Sequence, residues 1–343
     1  MPKTKQQYIM YQSKIIGLGK YVPENIVTND DLTKYMDTND AWIRERTGIE
    51  ERRWAVPGDG NTAATMGVKA AKIALERAEL TPKDIDFIVF ATLSPDYYFP
   101  GSGVQVQELL GCDTIGALDI RNQCSGFVYA LATADQFIKT GMYKNILVIG
   151  SELQSPGIDL STRGRGVGVI FGDGAGAVVL TRSDDDSGIL SNHLHSEGKY
   201  AKELSVQVPG GPNPPKKLVE DWDPEDLSYY PYMNGNFVFK HAVTRFPEAI
   251  MEGLQANNLT PADIDLLIPH QANLRISQFV QRKLQMKDEQ IMNNIQKYGN
   301  TTAASIPIAM TEAWEQGRIK RGDLVVTAAF GSGFTWGSNI IRY

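Results

Sequence analysis

The sequence predicts an α/β protein made of two similar halves. Short, almost continuously apolar runs alternate with helical stretches, which is typical of strands in a mostly parallel sheet that helices cover on both sides. The segment LTPKDIDFIVF (80–90) returns as LTPADIDLLIP (259–269), with six of the first seven residues identical at an offset of 179. We therefore expect an internal duplication in this chain of 343 residues, which is too long for one ordinary core.

A second similarity extends the repeat and gives each half the same order of elements. TGMYKNILVIGSE (140–152) resembles QGRIKRGDLVVTAAF (316–330), with Gly141 aligned with Gly317 at an offset of 176. In each half we expect a helix, a turn that begins with proline, an apolar strand, a long loop, a second helix and a second apolar strand. The chain is expected to divide into an N-terminal half, residues 1–185, and a C-terminal half, residues 186–343.

Composition and charge exclude several classes of function. The net charge of −6 argues against a general nucleic-acid binder, which requires a basic surface. No apolar run approaches the roughly 18–20 residues of a membrane span, and the N-terminal MPKTKQQYIMYQ lacks the long apolar core of a signal peptide. Two cysteines suggest neither a disulfide framework nor a zinc site, so we expect free thiols and a cytoplasmic location.

Cys124, in DIRNQCSGF (119–127), is the candidate nucleophile. It stands between an apolar run and a predicted helix, FVYALATADQFI (127–138). The unpaired N–H groups at a helix start favour a thiolate, which is the attacking form of cysteine. An inert, buried cysteine is the common alternative, and we assign that role to Cys112.

The repeat selects two partners for this cysteine. The offset of 176 places Asn300 at the position equivalent to Cys124, and the offset of 179 places His270 at the strand end equivalent to Ala91. Because sites of α/β folds gather at strand ends, we expect the three side chains to meet across a pseudo-two-fold axis. Structural roles are expected for the other histidines, His193, His195 and His241.

The three residue types suit acyl transfer between thioesters. A thiolate exchanges one sulfur ester for another with little change in energy. His270 would activate the thiol or donate a hydrogen bond to a thioester oxygen, and Asn300 is a neutral donor that does not titrate near neutral pH. The alternative for Asn300 is an ordinary helix N-cap.

Together with the cysteine, three C-terminal motifs make the chain resemble β-ketoacyl-acyl-carrier-protein synthase III. The motifs are PHQANLRI (269–276), YGNTTAAS (298–305) and FGSGFTWG (330–337), and the similarity runs from about Ile15 to the C-terminus. The resemblance implies a duplicated, thiolase-like α-β-α-β-α five-layer fold that works as a homodimer. It implies a coenzyme A thioester as substrate and no metal or redox cofactor.

The resemblance also implies a reaction in two stages. Cys124 would take the acyl group of an acyl-coenzyme A, with the oxyanion held by the backbone N–H groups of Cys124 and Ser332. Malonyl-acyl-carrier protein would then lose carbon dioxide while His270 and Asn300 hold the enolate oxygen. The carbanion would attack the acyl-cysteine and give a β-ketoacyl-carrier protein, which initiates fatty-acid synthesis.

A coenzyme A site follows from the same resemblance. In DAWIRERTGI (40–49), Trp42 would stack on the adenine, with Arg46 and Thr47 beside it. Arg165 would cover the other face of the adenine, since indole and guanidinium are both flat stacking surfaces. Asn236 would line the pantetheine tunnel.

Two further features concern protein partners. The resemblance implies that Phe99 crosses the dimer interface and shapes the acyl pocket of the other subunit. A basic patch that steers an acidic acyl-carrier protein is expected at Lys240, Arg275, Arg282 and Lys283. The alternative for the patch is an ordinary solvated face.

The chain departs from the family pattern at positions that bear on the substrate. Arg-Asn-Gln replaces the usual small residues before the cysteine, and Gly331-Ser332-Gly333 replaces a run of three glycines. Residues 193–231 form a longer, proline-rich excursion, expected near the tunnel mouth. A secondary-metabolism relative, which acylates an alcohol or amine or condenses two acyl-coenzyme A molecules, stays an alternative, as does a non-catalytic partner subunit. The length and branching of the primer are left open.

Overall fold

Two stacked sheets with helices between and outside them form the protein. A computed structural model describes residues 10–207, 223 and 225–343. The strands are β1 (Gln12–Tyr21), β2 (Ile26–Thr28), β3 (Glu51–Arg53), β4 (Phe87–Ala91), β5 (Gly116–Ile120), β6 (Ile146–Glu152), β7 (Gly174–Ser183), β8 (Gly188–Ser196), β9 (Leu204–Ser205), β10 (Tyr232–Met233), β11 (Leu266–Pro269), β12 (Leu324–Gly331) and β13 (Thr335–Arg342). The helices are α1 (Asn29–Leu32), α2 (Asp40–Thr47), α3 (Ala63–Arg77), α4 (Ser102–Leu110), α5 (Gly126–Lys139), α6 (Arg165–Gly168), α7 (Gly235–Ala256), α8 (Leu274–Lys283), α9 (Ile295–Tyr298) and α10 (Ser305–Glu315).

The two large sheets are mixed, so the expectation of a mostly parallel sheet is wrong. The first has the order β1-β7-β6-β4-β5 and the second the order β11-β12-β13-β8. Strand β4 pairs in parallel with β5 and β6, and β11 pairs in parallel with β12. The other pairs of these two sheets are antiparallel. Only the short segment 332–334 joins β12 to β13, and a parallel pair would need a crossover of about a dozen residues or more.

Helices α5 and α10 lie between the two sheets. One hydrophobic cluster contains apolar residues of both helices together with inward-facing residues of both sheets. Helix α3 packs on the outer face of the first sheet, and helices α7 and α8 pack on the outer face of the second. Every residue of β4 and β6 is buried, as the apolar runs FIVFA and ILVI predict, and in β6 the burial extends to the polar Ser151 and Glu152. The result is the expected five-layer order α-β-α-β-α.

The duplication is visible in the backbone as well as in the sequence. Thr81 and Asp84 form a capping box at the start of a short 3₁₀ turn, and Thr260 with Asp263 forms the equivalent box 179 residues later. Two pairs of non-glycine residues at the same spacing share a left-handed conformation. They are Glu79 (φ 55°) with Asn258 (φ 57°), and Gln123 (φ 42°) with Thr302 (φ 44°).

The same comparison corrects the position assigned to Asn300. The 3₁₀ turns Gln123–Ser125 and Thr302–Ala304 are equivalent at the offset of 179, which makes Cys124 the counterpart of Ala303. The offset falls to 176 only beyond these turns, because α5 has 14 residues and α10 has 11. Asn300 therefore lies just before the second turn and is not the symmetric partner of the cysteine.

Candidate active site

Cys124 lies in a tight turn that leads directly into helix α5, where the two halves of the chain meet. Its side chain is buried. Gly331, at the end of β12, packs against it so closely that an added Cβ would lie 2.7 Å from the Cβ of Cys124. The neighbouring Ser125 Oγ lies 2.6 Å from Thr335 Oγ1 on the adjoining strand, so the cysteine turn is fixed to the C-terminal loop.

The environment of the thiol does not favour a resting thiolate. Burial, together with the nearby Glu152 carboxyl, raises the pKa of Cys124 to about 12, against the opposing effect of the backbone N–H groups of Cys124 and Ser332. The N–H groups at the helix start act in the predicted direction, but removal from water outweighs them. Both N–H groups nevertheless lie close enough to the sulfur to lower its pKa, which places two donors near the reacting atom.

His270 follows strand β11 and is buried. Its Nδ1 lies 2.7 Å from Ser305 Oγ, and its backbone N–H donates to the Ala328 carbonyl at 2.8 Å. Its Nε2 is buried without a hydrogen-bond partner among the residues that the structure describes. Burial lowers the pKa of His270 to about 3, so the ring is neutral at physiological pH.

Asn300 is held by its backbone and by one side-chain atom. Its N–H donates to the Ile170 carbonyl at 2.8 Å, and its own carbonyl accepts the Gly172 N–H at 3.1 Å. Its Oδ1 accepts the backbone N–H of Thr302 at 2.8 Å. Because the oxygen is engaged, the amide NH₂ is the group available to a ligand.

One cavity of about 540 Å³ brings these side chains together. Cys124, His270 and Asn300 all line it, as the sequence predicts. Other predicted site residues also line it, namely Trp42, Arg46, Thr47, Asn236, Arg275 and Ser332. The lining does not include Arg165, Phe99, Lys240, Arg282 or Lys283.

Trp42 and two arginines form the outer part of the site. The guanidinium carbon of Arg46 lies 4.6 Å from the Trp42 ring centre and that of Arg165 lies 5.4 Å from it. A flat ring between Trp42 and Arg165 needs two contact distances, about 7 Å in all, so Arg165 must move outward to admit one. The Thr47 hydroxyl donates to the Ile43 carbonyl at 2.7 Å, so its proton is already used within the last turn of α2.

The four residues of the expected basic patch are exposed on helices α7 and α8, which pack together. No ion pair engages any of them within the described part of the chain. The guanidinium carbon of Arg275 lies 5.6 Å from the ring centre of Phe239, at the cavity wall. Phe99 is 81% exposed and stands beside the exposed Tyr97 and Tyr98, away from the cavity of its own chain.

The excursion at 193–231 lies only partly within the described residues, since 208–222 and 224 fall outside them. Strand β9 of the excursion pairs with β10, which follows directly after residue 231, and Leu204, Pro231 and Met233 line the cavity. His241, just beyond, has ring centres of Phe237 and Tyr200 at 4.5 and 4.7 Å, and burial lowers its pKa. His241 is thus part of an aromatic packing cluster.

The other two histidines share one carboxylate. His195 Nε2 lies 2.6 Å from Glu252 and His193 Nδ1 lies 3.3 Å from it, both outside the cavity. The structural role predicted for these two histidines agrees with their position on β8, away from Cys124.

Sequence reasoning missed several polar residues of the cavity and its floor. Arg121, Gln123, Gln154 and Thr302 line the cavity, and Glu152 lies behind it, close enough to Cys124 to raise the pKa of the thiol. A signal was present for Glu152, because a carboxylate that ends the apolar run ILVIGSE has to be buried with it.

The described residues contain neither a metal-binding cluster nor a membrane-spanning helix. Among them, no group of three or more His, Cys, Asp or Glu side chains is arranged to hold a metal ion. Within the same residues, no helix has both the length and the apolar character needed to cross a membrane.

Comparison with known proteins assigns the family. Residues 118–198 match the model of 3-oxoacyl-[acyl-carrier-protein] synthase III, and residues 254–343 match the model of its C-terminal part. β-Ketoacyl-[acyl-carrier-protein] synthase III of Aliivibrio fischeri is 46% identical over 331 residues, which cover 96% of this chain and 99% of that protein.

Solved structures support the same family assignment. The crystal structure of 3-oxoacyl-[acyl-carrier-protein] synthase III from Aquifex aeolicus superposes with a TM-score of 0.88 at 45% identity, covering 96% of this chain and all of that one. The priming β-ketosynthase of the R1128 polyketide pathway superposes with a TM-score of 0.88 at 30% identity, covering 99% and 98%. The duplicated thiolase-like fold is thus confirmed, and the chain belongs to the β-ketoacyl-[acyl-carrier-protein] synthase III family.

Proposed function

We propose that the protein condenses an acyl-coenzyme A primer with malonyl-acyl-carrier protein, with loss of carbon dioxide, and so initiates fatty-acid synthesis. The observation that carries the proposal is the convergence of Cys124, His270 and Asn300 on one cavity. The names of the relatives support the same reaction.

In the first stage the Cys124 sulfur attacks the thioester carbon of acyl-coenzyme A. A carbon–sulfur bond forms to the protein, the bond to coenzyme A breaks, and the thiol proton ends on the departing coenzyme A sulfur. Backbone N–H groups of Cys124 and Ser332 already face the cysteine sulfur, where they can hold the oxyanion. Such donors are typically worth about 2.7–4 kcal/mol each.

In the second stage His270 and Asn300 hold the thioester oxygen of the malonyl group. Ser305 Oγ accepts the Gln271 N–H at 3.4 Å, which leaves its own proton for His270 Nδ1. The proton of the neutral ring then resides on Nε2, the atom without a protein partner. Loss of carbon dioxide leaves an enolate held by that N–H and by the Asn300 NH₂, and its carbon attacks the acyl-cysteine.

A neutral imidazole suits this second stage. With a pKa of about 3, His270 donates a hydrogen bond to the enolate without carrying the extra proton that would quench the carbanion. The buried setting that lowers the pKa also strengthens each hydrogen bond to the developing charge.

The outer cavity holds coenzyme A in this proposal. Trp42 and Arg165 enclose the adenine after Arg165 moves outward, Arg46 and Thr47 lie beside it, and Asn236 lines the path of the pantetheine arm. The exposed cations of Lys240, Arg275, Arg282 and Lys283, which form no ion pair within the described residues, attract the acidic carrier protein.

The assembly completes the proposal. Two copies form a homodimer in which Phe99 reaches the acyl pocket of the other subunit, which accounts for an aromatic side chain left 81% exposed. The enzyme works in the cytoplasm, and its chain consists of an N-terminal half, residues 1–185, and a C-terminal half, residues 186–343. No metal or redox group takes part, since loss of carbon dioxide drives the condensation.

The two half-reactions give the test. Incubation with radiolabelled acetyl-coenzyme A labels the wild-type protein, and a Cys124→Ala protein stays unlabelled, with Cys112→Ala as the matched control that is labelled normally. Malonyl-acyl-carrier protein then releases the label as β-ketoacyl product. An Asn300→Ala protein is acylated but does not condense. Equal loss of both half-reactions in that variant would contradict the role of Asn300.

A second candidate function has one specific observation in its favour. The priming β-ketosynthase of a polyketide pathway covers nearly the whole chain at 30% identity. The same chemistry would then start a secondary metabolite. Acyl-coenzyme A primers ranked by turnover, together with alcohol, amine and second acyl-coenzyme A acceptors, separate the two functions.

A further inference from the structure

Glu152 is a buried carboxyl group behind the cavity that the proposed mechanism does not use. It is the last residue of β6 and has no exposed surface. No Lys, Arg or His side chain pairs with it among the described residues, and burial raises its pKa. A carboxyl group is costly in such a place unless several donors hold it.

Donors from both halves of the chain hold this carboxylate. From the N-terminal half, Ser94 Oγ donates at 2.7 Å, Leu93 N–H at 3.1 Å and Thr92 Oγ1 at 3.2 Å. From the C-terminal half, the backbone N–H of Ala303 donates at 3.3 Å to the other oxygen. One side chain thus joins the loop after β4 to the turn Thr302–Ala304.

That turn is strained where it meets Asn300. Thr302 is β-branched yet has a left-handed φ of 44°, a strained conformation that persists only where surrounding contacts impose it. Its N–H donates to Asn300 Oδ1 at 2.8 Å, and the next N–H along the chain, that of Ala303, donates to Glu152. The orientation of the Asn300 amide therefore depends on a turn that Glu152 holds.

Strand β6, which ends in Glu152, also contacts the turn Thr302–Ala304 at a second point. Gly150 lies against the Ala303 carbonyl, where an added Cβ would come within 2.4 Å of the oxygen. The turn is consequently fixed at its carbonyl by packing and at its N–H by the carboxylate. Loss of the carboxylate would leave a buried N–H unpaired, which favours relaxation of the turn.

We propose that Glu152 is a positioning residue for the condensation stage, which holds the strained turn Thr302–Ala304 and thereby aims the Asn300 amide at the enolate oxygen. The inference rests on the proposed function. It assigns Glu152 no contact with substrate, and it predicts that loss of the carboxylate slows the second half-reaction but not the first, since the same loss lowers the pKa of the Cys124 thiol.

The test compares Glu152→Gln and Glu152→Ala with wild type in separate half-reactions. The glutamine keeps the reach and an oxygen for the Ala303 N–H and for the Leu93 N–H, which lies 3.3 Å from that oxygen in the wild type. Its NH₂ can donate to the Ser94 and Thr92 hydroxyls, and the Gln154 amide, whose Nε2 now donates at 3.0 Å, can turn its oxygen toward that NH₂. The glutamine variant is expected to condense within about threefold of wild type and, because the charge that raises the pKa of the Cys124 thiol is gone, to acylate no more slowly. Alanine removes the acceptor, and condensation is expected to fall about 100-fold, the effect of misplacing a catalytic group by about 1 Å, with acylation again no slower than wild type.

Ser94→Ala is the matched control, because it removes a donor to Glu152 on the side away from the turn Thr302–Ala304. It is expected to leave the ratio of the acylation rate to the condensation rate unchanged. Equal losses in both half-reactions of Glu152→Ala, or no loss, would overturn the role. If alanine prevents folding, Glu152→Leu takes its place, because leucine fills the space without accepting the Ala303 N–H, and the same selective loss of condensation is expected. A glutamine variant that acylates normally but condenses more than tenfold slower shows that charge matters rather than reach, and this overturns the role too. A wild-type protein that acylates but does not condense would overturn the proposed function and this role together.

Discussion

Replacing Gly331 with alanine tests whether the closeness of β12 to Cys124 controls the first half-reaction. An added Cβ would lie 2.7 Å from the Cβ of Cys124 and 3.2 Å from its backbone nitrogen. Carbon atoms in ordinary contact stand about 3.5–4.0 Å apart, so the two carbons must separate by about 0.8–1.3 Å. The contact involves backbone and Cβ atoms on both sides, so no flexible side chain can rotate away.

The displacement acts on both parts of the acylation geometry at once. It moves the sulfur relative to the substrate, and it moves the Ser332 N–H, which follows Gly331 directly, relative to the oxyanion. A shift of about 1 Å typically costs about 100-fold in rate. We therefore expect Gly331→Ala to acylate about 100-fold more slowly and to lose about 1–3 kcal/mol of unfolding free energy, the usual cost of overpacking.

Single-turnover labelling with radiolabelled acetyl-coenzyme A measures the rate, and urea unfolding measures the stability. Gly157→Ala is the matched control, because its added Cβ meets no atom within 4 Å and its rate should be unchanged. Normal acylation by a stably folded Gly331→Ala protein would refute the reasoning, since it would show that the site tolerates a displaced cysteine.

Two further predictions concern pH and coenzyme A. In the unfolded chain His270 binds a proton near its ordinary pKa of 6.5, but in the folded chain it does so only near pH 3. The neutral, buried ring therefore makes its full contribution to the free energy of unfolding above about pH 6.5. That free energy falls by about 3 kcal/mol between pH 7 and pH 4, because protons bind the unfolded chain more tightly. Urea unfolding of wild type and His270→Asn at both pH values should show a smaller fall in the variant; equal falls would contradict the burial argument. Trp42→Ala should raise KM for acyl-coenzyme A about tenfold with little change in kcat, whereas Trp314→Ala, which also removes an indole beneath an arginine but lies outside the cavity, should change neither.

The convergence of the site could be predicted from the sequence because each residue follows a recognisable element. His270 comes directly after the apolar run that ends β11, and Cys124 comes directly before the helical run of α5. The preceding strands, β5 and β11, lie in different sheets. The internal duplication predicted that the two side chains meet, because it brings the strand ends of the two halves together across a pseudo-two-fold axis. The antiparallel strands around them were not predicted, because a buried antiparallel strand is as apolar as a parallel one.

The equivalence of Asn300 with Cys124 failed for a different reason. The sequence repeat carries two offsets, and nothing in the residues between 305 and 315 shows where three positions were lost. Only the left-handed residues Gln123 and Thr302 reveal that the offset is still 179 at the catalytic turns. Backbone conformation of this kind is seldom readable from a non-glycine residue.

The state of the thiol depends on burial by both halves, which no local pattern encodes. The helix start stabilises a negative charge on Cys124, yet Glu152 and the loss of water act more strongly in the opposite direction. The same burial lowers the pKa of His270, so the resting site holds a thiol and a neutral imidazole rather than an ion pair. An imidazolium beside the enolate would protonate it and end the reaction before the carbon–carbon bond forms. The geometry therefore makes the first stage harder, because the thiol must lose its proton during attack, and in return keeps the second stage free of a competing acid.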